Sequence, residues 1–187
     1  MTTNSSAIIE FKTRNPQQNL PPHLSRKRGE SNFVAAFARA YANARLGQGV
    51  GGRQFEVLGH GIADFVWVEV QQPSAAHDED NSAYDFFPLT AFELKMRDWK
   101  RALHQAYRYS YFADKSVVVL PPDAVAHAAE NIELFRKLEI GLWTFNPETS
   151  EIHAVHAPKR AKPRNTFAKA RAMSLFQRKA KFRKLIE

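Results

Sequence analysis

The chain has 187 residues, with 27 Lys and Arg against 19 Asp and Glu and a formal charge of +8. With 44% hydrophobic and 12% aromatic residues it can bury a core, and its length suits roughly one domain with tails, so wholesale disorder and a pair of large domains are excluded. It has no Cys, which rules out a disulfide scaffold, Cys-ligated zinc, an iron–sulfur cluster and a thiolate nucleophile, and suits a reducing compartment.

Residues 1–28 are polar and contain Pro16, Pro21 and Pro22 without sustained periodicity, so they read as a flexible arm. From Ser31 the spacing of Phe33, Val34, Phe37, Ala40, Tyr41 and Ala44 predicts an amphipathic helix over 31–46, stopped at Gly47. Arg53–Leu58 alternates, Gly59-His60-Gly61 turns the chain, and Ile62–Val70 is apolar on both faces apart from Asp64 and Glu69, which predicts a hairpin with an interior second strand. Residues 71–88 form a polar, acidic loop, and Leu89–Met96 reads as a third strand.

Asp98 then caps a predicted helix to about Phe112, with Trp99, Ala102, Leu103, Ala106 and Ser110 as its inward stripe. Val117–Leu120 is a continuous buried run, and strand, helix, buried strand at this spacing make a right-handed crossover with parallel strands. A helix over Asp123–Leu138, a hairpin over Ile140–Ala157 turning at Pro147, and a basic helix from Asn165 follow. The expectation is therefore an α/β fold with a mixed sheet: αβββαβ order, then a C-terminal hairpin and a basic helix. The units are an arm (1–28), an α/β domain (29–158) and a basic helical tail (159–187).

The charge is unevenly placed. Residues 159–187 hold eleven Lys and Arg against the single acid Glu187, so the body before them is slightly acidic. A basic appendage of this kind is the footprint expected for a polyanion, nucleic acid first and an anionic membrane second, and equally that of a solvated basic helix. The tail lacks Trp, which disfavours a membrane role. The longest apolar run, Val117–Pro122, is too short to span a bilayer, and MTTNSSAIIEFK lacks a signal-peptide layout. The expected location is cytoplasmic.

Some motifs do not carry chemistry. Gly47, Gly49 and Gly52 spell GxGxxG, but a dinucleotide site needs strand, glycines, helix, and here a helix precedes and a strand follows. His153 and His156 are three apart on a predicted strand, a spacing that does not share a strand face. Asp78-Glu79-Asp80 lacks the glycine and closing glutamate of a calcium loop.

The third strand carries Glu93-Leu94-Lys95. Strand alternation puts Glu93 and Lys95 on one face, where an acid and an amine can hold a divalent cation and stand beside its water. Asp64 is the only charged side chain between Ile62 and Val68 on the preceding strand, and such an Asp is costly unless paired or metal-bound. Acid-x-Lys recurs at Glu10-Phe11-Lys12 and Asp98-Trp99-Lys100, but only the Glu93 copy lies in a predicted interior strand. A structural ion-pair cluster is the competing reading.

These residues resemble the PD-(D/E)XK, or restriction-endonuclease-like, nuclease superfamily over residues 29–121. The resemblance implies a restriction-endonuclease-like αβββαβ core, with Asp64, Glu93 and the Leu94 carbonyl binding Mg²⁺ or Mn²⁺ and Lys95 orienting or activating water. Ala63 stands where the family has Pro, and the loop between Asp64 and Glu93 is unusually long. Glu30 matches a further acid that many members carry near the metal. Gln105 and Tyr109 match the QxxxY of the exonuclease branch, with Gln105 added to the catalytic set. Arg101, Arg108 and Tyr109 on the same helix, and Arg178, Lys179, Lys181, Arg183 and Lys184 in the tail, are the expected nucleic-acid contacts. The implied activity is metal-dependent, endonucleolytic cleavage of DNA, with RNA as the other substrate and a homodimer as a candidate assembly. A non-catalytic nucleic-acid- or partner-binding protein on the same fold is the alternative.

Overall fold

The computed structural model describes residues 8–11, 25–70, 87–179 and 182–184, with the side chains of 25–28 excepted. Its elements are β1 (Ile8–Glu10), α1 (Ser25–Asn43), β2 (Gly49–Val57), β3 (Gly61–Glu69), β4 (Leu89–Leu94), α2 (Trp99–Tyr109), β5 (Lys115–Leu120), α3 (Pro122–Ala129), α4 (Ile132–Leu138), β6 (Ile140–Asn146), β7 (Glu151–His156) and α5 (Thr166–Gln177). The seven strands form one mixed sheet in the order β1 to β7. β2–β3, β3–β4 and β6–β7 are antiparallel, while β1–β2, β4–β5 and β5–β6 are parallel. The predicted hairpin, the crossover and the C-terminal hairpin are all present.

One face of the sheet is covered by α1. Phe33, Phe37 and Tyr41, at helical spacing, pack against Phe65, Trp67, Phe92 and Phe145, with the Phe37 ring 5.2 Å from Phe92 and 5.5 Å from Phe145. Each fully buried ring of this kind contributes about 1.5–3 kcal/mol. The other face carries α2, α3 and α4 over β5 and β6, and α5 beside β2. Burial of both faces is what the unbroken apolar runs in β3 and β5 require.

Four expectations change. The arm contributes β1, whose pairing with β2 is reinforced by an Arg53–Glu10 ion pair at 2.9 Å; residues 1–7 and 12–24 lie outside the described residues, as does most of the acidic loop. The first helix covers 25–43 rather than 31–46, so Glu30 is inside it rather than ahead of it. The glycine run before Arg53, outside the strand predicted from Arg53, is the first half of β2. A Cβ at Gly49 would stand 2.2 Å from the Val68 carbonyl oxygen, and one at Gly52 would meet the Phe11 and Phe176 rings, so packing selects glycine there. The single helix over 123–138 is two, interrupted at Asn131, whose side-chain amide donates to the His127 carbonyl.

The tail docks on the body. Ala168, Ala172, Met173, Phe176 and Phe182 are buried against β2 and its flank. Lys169, one of the eleven tail cations, is buried rather than solvated: its Nζ donates to the Asp114 carboxylate and to the Phe87 carbonyl, while Leu89 N donates to the same carboxylate.

Candidate active site

Asp64 lies where the β3–β4 ladder stops. The registered pairs run from Val68↔Leu89 to Phe65↔Phe92, so Asp64 and Glu93 are the next opposed pair, and opposed residues share a face. At this point the pleat of β3 slips. Phe65 and Trp67 face α1 and Val66 and Val68 face α2 and α5, but Ala63 joins the latter side. On β2, Gln54 adopts φ 54° between the registered pairs Arg53↔Phe65 and Phe55↔Ala63, level with Asp64. The strands part there, and the Leu94 N–H donates to Asp64 Oδ2 at 2.9 Å in place of a ladder carbonyl.

Glu93 is 1% exposed. Tyr109 donates its hydroxyl proton to Glu93 Oε2 at 2.5 Å, and the Tyr109 hydroxyl oxygen also stands 2.7 Å from the Ile62 carbonyl. Lys95 Nζ is 3.1 Å from Glu93 Oε1, close enough for an ion pair but without hydrogen-bond alignment, so Oε1 is buried with no hydrogen-bond donor. Burial, and then the neighbouring Asp64 charge, push the Glu93 carboxyl up to about 7, against the opposing pull of Lys95 and the Tyr109 hydroxyl. Burial also raises Asp64, opposed by Lys95 and the Leu94 N–H. For Lys95, burial works to lower the pKa, but Glu93 and Asp64 outweigh it and the net shift is upward. Tyr109 is raised by burial and by Glu93, which keeps its proton in place as a donor.

Two carboxylates and an ammonium thus converge at one end of β3 and β4. Glu30, half-buried in α1, adds its field at both Asp64 and Lys95. Gln105 is half-buried on α2, and its Oε1 is enclosed without a hydrogen-bond partner. Among the described residues no group of three or more His, Asp or Glu side chains is gathered to hold a metal. The donor set still fits Mg²⁺, which binds through one or two carboxylates and keeps its waters: Asp64 and Glu93 repel each other, and the buried Oε1 has no donor of its own.

The predicted nucleic-acid contacts divide. Arg101 and Arg108 are exposed on α2, with the Arg108 guanidinium over Gly61 at the β2–β3 turn. Tyr109 is not with them. It is buried on the inward side together with Ala102, Leu103 and Ala106. Its place seven residues after Ala102, two helical turns on, marks it for the inward stripe that the spacing alone assigned to Ser110. Arg178, Arg183 and Lys184 are exposed, Lys179 stands 5.0 Å over the Phe11 ring, and Lys181 lies outside the described residues. No described helix is long and apolar enough to cross a membrane. No family model, curated protein or solved structure matches the chain.

Proposed function

We propose that this chain is a metal-dependent nuclease of the PD-(D/E)XK type that hydrolyses phosphodiester bonds in DNA, with RNA as the other substrate to be tested. The observation that supports it is the convergence of Asp64, Glu93 and Lys95 at the fork of β3 and β4, where Glu93 Oε1 meets Lys95 as an ion pair at 3.1 Å. Asp64, Glu93 and the Leu94 carbonyl would hold Mg²⁺ or Mn²⁺, with Glu30 as a further carboxylate. When bound, the ion supplies charge neutralisation at the scissile phosphate and a lowered pKa for water. Lys95 keeps an ammonium beside the carboxylates, where it offsets negative charge as it builds on the phosphate and orients the attacking water. Tyr109 fixes the Glu93 rotamer, and Gln105, one helical turn before it on α2, would be the further catalytic residue. Arg101 and Arg108, with Arg178, Lys179, Arg183 and Lys184, would attract the phosphate backbone without reading sequence.

One observation favours a second reading, a non-catalytic binding protein on the same fold: Glu93 is enclosed and already held by Tyr109 and Lys95. Incubation with plasmid, single-stranded DNA and RNA, with and without Mg²⁺, separates the two. Cleavage by the wild type that needs Mg²⁺ and is lost in Asp64→Ala and Lys95→Ala supports the nuclease. No cleavage of any substrate, or equal cleavage by all three proteins, refutes it.

A further inference from the structure

Residues 158–165 cross the end of the sheet opposite the Glu93 fork. The crossing is fixed: Pro158 packs on Gly141, and Ala161, Arg164 and Asn165 donate backbone N–H groups to the carbonyls of Asp114, Ser110 and Tyr111, each at 3.0 Å. Beneath it lies a cavity of about 280 Å³, just below the roughly 300–1,000 Å³ usual for organic ligands and suited to a small anion. Lys115, Lys159, Lys162 and Arg164 line it. None of the four forms an ion pair among the described residues.

The surrounding negative charge does not balance them. Asp114 borders the cavity, but its carboxylate is engaged by buried Lys169 and approached by Arg160 at 3.9 Å. Glu139 is one exposed acid on the rim, and the carboxyl ends of α2 and α4 add about half a charge each. The cavity remains positive. A second observation points to a ligand: Ser116, at the start of β5 and 2% exposed, is among the residues that line the cavity, and its buried hydroxyl has no hydrogen-bond partner. A buried hydroxyl beside four cations that form no ion pair, of which Arg164 also lies 5.2 Å over the Tyr107 ring, is the donor set of a phosphate site.

We infer that this cavity binds a phosphate group, at a site separate from Asp64, Glu93 and Lys95. Along β4, Thr90 beside Lys115 and Glu93 at the fork are three residues and roughly 10 Å apart. The ligand is either a backbone phosphate of a nucleic acid or a free phosphate-bearing molecule. The inference stands whether or not the fork is catalytic.

The test titrates inorganic phosphate into the full-length protein, followed by ³¹P line broadening, with a single-stranded oligonucleotide measured in parallel by fluorescence anisotropy. The variants are Lys159→Ala/Lys162→Ala and Ser116→Ala, none of whose side chains makes a polar contact among the described residues, with circular dichroism to verify folding. The double variant is expected to lose at least fivefold in phosphate affinity and Ser116→Ala at least twofold, while Asp64→Ala changes nothing. A parallel loss of oligonucleotide affinity assigns the site to a nucleic-acid backbone; an unchanged one assigns it to a free phosphate-bearing molecule. If phosphate fails to bind the wild type, or binds both variants as tightly, the inference is overturned.

Discussion

Glu93 makes the metal-free protein sensitive to pH in a direction set by its surroundings. Its carboxyl is pushed from 4.5 in the open chain up to about 7 in the folded one, so between these values the native state holds a proton that the unfolded state has released. The stabilisation from this group is complete below pH 4.5 and is lost as pH rises through 7. At 1.36 kcal/mol per unit, the shift corresponds to at most about 3 kcal/mol. Glu93→Gln keeps the side-chain shape and removes the titration. The variant's stability relative to wild type should therefore climb by up to about 3 kcal/mol between pH 4.5 and pH 8, or about 6–12 °C in Tm for a chain of this length. Urea melts in EDTA at several pH values measure it. Comparing wild type and variant at each pH cancels the other titrating groups they share, and the lost attraction to Lys95 enters mainly as an offset at high pH. Mg²⁺ at pH 8 should raise the Tm of the wild type and leave that of Glu93→Gln nearly unchanged, because a bound cation favours the charged carboxylate. A stability difference that is flat or falls between pH 4.5 and 8 would show that Glu93 is not held protonated by burial and Asp64.

Tyr109→Phe removes a donor from the charged form of Glu93, which costs about 1–3 kcal/mol in a denaturant melt and moves the Glu93 pKa further up. If the fork cleaves phosphodiesters, the acid limb of the kcat profile should shift to higher pH with KM little changed; a shift in KM alone would contradict a positioning role. Lys169→Met leaves Asp114 buried without its closest cation and should cost about 3–5 kcal/mol, with much of that recovered in Lys169→Met/Asp114→Asn; an additive double variant would refute the coupling. Arg178→Ala, Arg183→Ala and Lys184→Ala together should flatten the salt dependence of DNA binding by nearly one unit of slope for each phosphate that is no longer neutralised, with the Tm unchanged. An unchanged slope would place the nucleic acid elsewhere.

The fork was legible because a strand interior tolerates few charges. Asp64 in an apolar strand and Glu93 with Lys95 two residues apart could be placed from alternation alone, and the register puts the two acids opposite one another. The slip of the pleat at Asp64 was not legible. It depends on the left-handed Gln54 of a neighbouring strand and on where the β3–β4 ladder ends, and neither is a property of the Asp64 segment. β1 was missed for a related reason: three residues show no period, and Ile8–Glu10 form a strand only because β2 offers them an edge.

The tail shows how far charge counting reaches. Eleven basic residues in 29 positions describe a single electrostatic object only if all of them face water, and the fold sorts them into different environments. Lys169 is buried on the inward side of α5 as the counter-ion of Asp114. Lys159, Lys162 and Arg164 are held over a cavity by a strap that hydrogen-bonds to the end of the sheet. Arg178, Arg183 and Lys184 remain on the surface beyond α5. Removing everything after Pro158 would therefore strip Ala172, Met173, Phe176 and Phe182 from the core together with the charges, and each buried Phe or Met alone contributes about 1.5–3 kcal/mol. A truncated chain that bound DNA poorly would be reporting on its fold, so only point substitutions of the surface cations can show whether the tail meets a phosphate backbone.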